Sequence, residues 1–136
     1  MHERAISDID RGWAFGLFDT DGSISLARSR QTRIPYSLTL RLCNTCRAAI
    51  ERFRSIVGVG TIRSRPPRGR RRECWVWWLG ARDEISTILS EFAPFLSIRQ
   101  YQASLAQQFL STQDLKLMRK IFEELRRAKT KKGPRG

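Results

Sequence analysis

Apolar residues recur along this chain with two different periods. From Gly12 to Phe18 the run GWAFGLF contains no polar residue, and it sits inside a helix expected from about Asp8 to Asp19. A helix apolar on every side should be buried on every side. A chain of 136 residues rarely surrounds one of its own helices, so a second subunit is expected to cover the remaining face. After Gly22 the period drops to two. In SISLA, Ile24 and Leu26 alternate with Ser23, Ser25 and Ala27; in YSLTLRL, Leu38, Leu40 and Leu42 alternate with Ser37, Thr39 and Arg41. Such alternation marks strands with one face buried and one face wet.

CRAAIERFRSIVG then reads as an amphipathic helix with Ala49, Ile50, Phe53 and Val57 on one side and Gly58 as its terminator. VGTIRSR and ECWVWWLG form a second strand pair joined by the turn PPRGRRR. Asp83 is expected to cap a helix running to about Phe92. Pro94 should begin another over roughly Phe95 to Leu110, and Gln113 to about Lys129 a last one. The order is α-β-β-α-β-β-α followed by more helix. This predicts an α+β fold with an antiparallel sheet, one domain over residues 1–129, and a basic, disordered tail over 130–136 (TKKGPRG). No window is long and apolar enough to span a bilayer. The first residues, MHERAISDID, lack the basic-then-apolar order of a signal peptide. An intracellular protein is expected: cytoplasm, nucleoid or an organelle.

Charge changes the picture. Lys plus Arg is 26 against 13 acidic residues, a net charge of +13. So basic a small chain points to a polyanionic partner, and nucleic acid comes first. The basic residues gather where the strand pattern leaves surface. Ser37, Thr39 and Arg41 share one side of the second strand, and Thr61, Arg63 and Arg65 share one side of the third if Ile62 points inward. Ser25, Ala27 and Ser29 continue the outward series of the first strand. Arg28, Arg30 and Arg33 mark one hairpin tip; Arg68, Arg70, Arg71 and Arg72 mark the other. An Arg-lined antiparallel sheet suits the major groove of double-stranded DNA, and also reads simply as a solvated sheet face.

The segment Phe18-Asp19-Thr20-Asp21-Gly22 carries the candidate chemistry. Two carboxylates follow an apolar helix at its negative end, where each costs about 0.3–1 kcal/mol. A divalent cation such as Mg²⁺ would neutralise them. Asp-Thr-Asp-Gly is equally an ordinary helix-to-strand turn, and local chemistry leaves both readings open.

GWAFGLFDTDGSISL resembles the LAGLIDADG motif of the homing endonucleases, with AFGLFDTDG as its core; Gly16, Asp19, Asp21 and Gly22 fall on its most characteristic positions. GVGTIRSR and PFLSIRQYQASL look like later family segments in the right order. The resemblance spans roughly Gly12 to Leu110. It implies the αββαββα fold with an antiparallel, DNA-binding β-saddle and C-terminal helices. It also implies a site-specific double-strand DNA endonuclease of the kind associated with intron or intein homing. Asp21 matches the family's metal-binding acid and the Thr20 carbonyl a second oxygen ligand for Mg²⁺, with Mn²⁺ or Ca²⁺ able to replace it in binding. Asp19 would support the helix end. Arg99 matches the place of an active-site Lys, and as a permanent cation it would stabilise phosphate charge. Asn44 would position water, and Arg47 is a second basic candidate. One motif per chain implies a homodimer on a near-palindromic site, with Gly12, Phe15, Gly16 and Asp19 at the helix interface. Phe15 departs from the small residue usual before the Gly. No membrane and no small-molecule substrate is implied. The alternative is a non-catalytic descendant that binds DNA or intron RNA.

Cysteine, tryptophan and histidine usage bears on function as well. Cys43 and Cys46 form a CxxC, but only Cys74 and His2 remain to complete a zinc site, and neither belongs to a second close pair. An odd number of cysteines fits a reducing interior. Trp75, Trp77 and Trp78 divide between core and surface in an order the alternation does not decide. With His2 the sole histidine, nucleases built on a catalytic His pair and serine-type triads are excluded.

Overall fold

A computed structural model describes residues 6–28 and 34–130. His2, Ser29, Arg30, Arg33 and the tail beyond Thr130 lie outside the described residues. The elements are α1 (Asp8–Asp21), β1 (Gly22–Arg28), β2 (Tyr36–Asn44), α2 (Arg47–Val57), β3 (Thr61–Arg65), β4 (Cys74–Leu79), α3 (Arg82–Phe92), a 3₁₀ turn (Ala93–Phe95), α4 (Gln100–Ser111) and α5 (Leu115–Thr130). The fold is α+β, with one antiparallel sheet in the order β1-β2-β4-β3.

The period-two pattern does what it predicts. Ile24, Leu26, Leu38, Leu40, Leu42, Trp77 and Leu79 are buried on one sheet face, where the helices pack. Phe18, Phe53, Phe92 and Trp77 make the centre of that layer: Phe53 meets Trp77 edge-on at 4.9 Å and Phe18 meets Phe92 at 5.5 Å. Register settles the tryptophans. Trp77 stands across from Leu42 and Ile62 on the core side, while Trp78 stands across from Arg41 and Thr61 on the open side.

Local chemistry fixes the element ends. Ser7 caps α1 by accepting from the Asp10 N–H at 3.1 Å, as a side-chain oxygen at an N-cap should. Gly58 ends α2 with φ 79° and donates to the Arg54 carbonyl, a left-handed C-cap that favours glycine. Gly22 is required for space: a Cβ there would lie 2.4 Å from the Phe18 carbonyl oxygen. The turn from α1 into β1 is therefore closed to any side chain.

Two boundaries differ from expectation. Asp83 lies inside the first turn of α3, whose N-cap is Ala81 with no side-chain bond. It therefore complements the helix dipole without capping. Pro94 does not open a long helix. It sits in the 3₁₀ turn that finishes α3, and α4 starts only at Gln100. The segment between is held from elsewhere in the chain, by Asp19.

The apolar run of α1 is only partly covered by its own chain. Ala14 and Phe18 are buried. Phe15 turns inward, stacked on Phe95 at 4.8 Å and edge-on to Phe92 at 4.8 Å. Ile9 is 81% exposed, and Gly12 and Gly16 have open space where a Cβ would stand. One stripe of α1, at helical spacing, is left bare.

Candidate nucleic-acid interface and metal-binding acid

The face of the sheet opposite the helices carries polar and basic side chains in register. Ser23 of β1, Arg41 of β2, Trp78 of β4 and Thr61 of β3 form one row across all four strands. Cys43, Val76 and Arg63 form the next, and Ser25 stands beside Thr39. Arg65 lies opposite Cys74, and Ala27 opposite Ser37. The outward series predicted from the alternation thus fall on one surface. Arg28 does not join them: its guanidinium lies over the Phe122 ring, 5.3 Å from the centroid. In the β3–β4 turn, Arg68 and Arg71 pair through their backbones, and Arg71 donates to the Pro66 carbonyl at 2.9 Å. Arg68, Arg70, Arg71 and Arg72 are all exposed there.

The last turn of α1 brings the acids to this face in different states. Asp19 accepts from the backbone N–H groups of Ser97 at 3.0 Å and Arg99 at 2.9 Å. It joins the negative end of α1 to the positive end of α4, so the second dipole offsets what the first makes unfavourable. Arg99 completes the joint. Its Nε donates to the Gly22 carbonyl at 2.7 Å and an Nη to the Thr20 carbonyl at 3.1 Å, leaving its other Nη for a further acceptor. Asp21 is different. It is exposed, makes no hydrogen bond or ion pair among the described residues, and lines a concavity of about 460 Å³ with Ser23, Arg41, Cys43, Arg63, Arg65 and Trp78.

Asn44 and Arg47 are not brought to this concavity. The Asn44 carboxamide oxygen accepts from the Cys46 N–H at 2.7 Å, turning the chain into α2. Arg47 pairs with Glu51 on the helix surface. Instead the fold delivers a residue that no sequence pattern singles out. Lys129, at the far end of α5, donates to the Ser25 hydroxyl. Burial lowers its pKa, and the neighbouring charges of Arg41 and Arg99 lower it further. A lysine beside two guanidiniums is a cluster that an anion would relieve. Nothing local marks it, because its place depends on how α5 folds back along β1. Similarly, Cys43 meets Cys74 across the sheet; exposed Cys46 is not its partner.

The donor set at Asp21 consists of oxygens: its carboxylate and the Thr20 carbonyl, the latter shared with Arg99. Hard oxygens suit Mg²⁺ or Ca²⁺, and Mg²⁺ usually keeps waters and substrate phosphate beside one or two carboxylates. Among the described residues no three acidic, His or Cys groups cluster, so one chain offers part of a shell and leaves room for a second carboxylate, water and phosphate.

Arg99 also has a structural consequence. Two bonds from one cation to helix-end carbonyls should stabilise by about 1–3 kcal/mol. Arg99→Ala is expected to lower the urea midpoint accordingly, with Arg99→Lys recovering part of the loss. An unchanged midpoint would show that the strap contributes nothing to stability.

No family model matches the sequence, and no curated protein matches it. Solved structures do. An archaeal intron-encoded homing endonuclease, I-Vdi141I complexed with DNA, is similar at TM-score 0.73 and 16% identity, covering 94% of this chain and 88% of that one. The homing endonuclease I-CvuI, in complex with the I-CreI target in the presence of Mg, is similar at TM-score 0.70 and 17% identity, over 94% and 85%. The LAGLIDADG meganuclease I-AabMI bound to uncleaved DNA gives TM-score 0.59 and 17% identity, over 81% of this chain but 37% of that one. The fold of this chain is that of the LAGLIDADG homing endonucleases, as the AFGLFDTDG resemblance implies.

Proposed function

We propose that this chain is a site-specific, metal-dependent DNA endonuclease that acts inside the cell as a homodimer through a single domain. The observation that carries this reading is the state of Asp21. Asp19, the Thr20 carbonyl and the Gly22 carbonyl each have a partner that explains them, whereas Asp21, unpaired among the described residues, stands on the floor of an arginine-lined sheet.

In this reading the open face lies along double-stranded DNA, with Arg41, Arg63 and Arg65 facing base edges or phosphates. Lys129 and Ser25 meet a backbone phosphate at the β1 edge. Mg²⁺ held by Asp21 would supply Lewis-acid stabilisation of phosphodiester hydrolysis. Arg99 keeps the Thr20 and Gly22 carbonyls oriented and adds a fixed positive charge beside the helix end. The bare stripe of α1 supports the homodimer: Gly12 and Gly16, four apart, let a second helix approach closely. The chain lengths agree, since a unit covering most of I-CvuI covers little over a third of I-AabMI.

A second reading keeps the DNA or RNA interface without catalysis. One observation favours it: Arg99 already bonds the Thr20 carbonyl and already compensates the helix end, so the fold does not need a metal there. A pool of random-sequence duplexes separates the two. With Mg²⁺, cleaved ends should converge on one near-palindromic motif and vanish with a chelator. Enrichment of bound duplexes without any cut ends would assign the chain to the non-catalytic class.

A further inference from the structure

The open sheet face holds two thiols in contact. The Cys43 and Cys74 sulfurs are 3.0 Å apart, both free, on neighbouring strands. Cys43 pairs in register with Val76 and Cys74 with Arg65, so the two cysteines are diagonal neighbours. Cys43 is half-buried and lines the concavity that holds Asp21. Cys74 is 4% exposed, so the pair is reached through Cys43. Thiols in contact on this largely polar and basic face can be joined.

We propose that Cys43 and Cys74 are a reversible redox couple, and that joining them as a disulfide weakens nucleic-acid binding by this face. The second half rests on the function proposed above. With a peroxide as oxidant, the Cys43 thiolate attacks one oxygen, the O–O bond breaks, and the departing hydroxide takes a proton to leave as water. The Cys74 thiolate then attacks the sulfur of the resulting sulfenic acid; the S–S bond forms as the S–O bond breaks, and the departing hydroxide takes a proton to leave as a second water. Two thiols lose two electrons and two protons, and one peroxide becomes two waters. Burial and the Cys74 contact push the Cys43 thiol pKa up, while Arg65 pulls it down, so the couple is a slow sensor.

Geometry links the bond to binding. Diagonal neighbours across a sheet have Cα atoms about 7–8 Å apart, and a disulfide seldom spans more than about 7 Å without backbone movement. Closing it takes the sulfurs from 3.0 Å to a bond of about 2.0 Å and draws β2 and β4 together there. Those strands carry Arg41 and Trp78, and β4 holds β3 with Arg63 and Arg65 in place.

The test uses the full chain with Cys46→Ser, which removes the exposed third thiol. After hydrogen peroxide, peptide mapping without reductant should recover Cys43 joined to Cys74, lighter by two hydrogens and closed to alkylation. Affinity for a mixed-sequence duplex near 0.1 M salt should fall roughly eightfold for each phosphate the shifted face no longer reaches, and dithiothreitol should restore it. The Cys43→Ser, Cys46→Ser double variant should show no response to peroxide. The couple is overturned if both thiols remain open to alkylation, or if sulfinic acid or cross-linked dimers form instead. A cross-link that leaves affinity unchanged overturns the effect on binding. Should the reduced protein fail to bind the duplex at all, the nucleic-acid reading falls and takes that second half with it. The mass measurement still decides the couple by itself.

Discussion

Replacing Asp21 with Asn is expected to slow DNA cleavage by at least about a hundredfold and to leave DNA affinity equal or higher. The substitution keeps size and one oxygen but removes the anionic donor. Disturbing the groups around a ligand typically costs 10–100-fold in metal affinity or activity, and losing the ligand itself should cost no less. Binding should survive because the carboxylate is not structural. Asp21 has no partner among the described residues, and its neighbours in the concavity are Arg41, Arg63 and Arg65. Neutralising it makes that floor more positive, which favours phosphate. The measurement is nicking of a plasmid carrying the selected motif in Mg²⁺, beside gel-shift affinity of the same duplex. Cleavage within about tenfold of the unmodified protein would remove Asp21 from catalysis. Loss of binding with the fold intact would make it a structural acid like Asp19.

The contrast between these two acids shows what the sequence could and could not say. Both precede Gly22 and both sit at the wrong end of a helix dipole, so a local reading treats them alike. The fold separates them through contacts nearly eighty residues away in the chain: Ser97 and Arg99 come to Asp19, and none of the described residues bonds Asp21. The same contact explains the misplaced start of α4. The N–H groups of Ser97 and of the N-cap Arg99, just ahead of α4, lean on an acid from α1, so no side-chain cap stands before Gln100 to mark the helix start in the sequence. What was legible rests on periodicity: the strands, their inward leucines, the helix order and the outward series of Thr61, Arg63 and Arg65. What was not legible rests on long-range docking. Arg99 was selected by its motif position, but its bonds to two helix-end carbonyls depend on the 3₁₀ turn and Asp19. Lys129 and the Cys43–Cys74 contact arise only when α5 meets β1 and β2 pairs with β4. The CxxC spacing does not reveal that contact, since Cys43 faces the sheet surface while Cys46 stands at the N-cap of α2.

DNA binding is expected to weaken steeply with salt, and the arrangement of charge sets the scale. The net charge of +13 is not spread evenly. The four ion pairs between described side chains all involve helical residues: Arg47 with Glu51, Arg52 with Asp10, Arg119 with Glu123, and Arg127 with Glu124. Among the described residues, every acid other than Glu73 lies on a helix or beside one. The open sheet and its tip are left with Arg41, Arg63, Arg65, Arg68, Arg70 and Arg72, joined by Lys129. About five of these meeting phosphate per subunit would give roughly ten in a dimer. At about −0.9 per contact, the slope of log affinity against log salt approaches −9, a loss of roughly 10⁵ between 50 and 200 mM salt. A monomer on one half-site would show half that slope, so sedimentation alongside the titration separates the two. Arg68→Ala should make the slope shallower by about one per subunit without changing which sequence is preferred, because a hairpin-tip arginine meets phosphate, not base. A slope shallower than about −3 for the unmodified protein would mean that the arginine face does not lie along the DNA. The arginines of β2 and β3 would then need another polyanion to account for them.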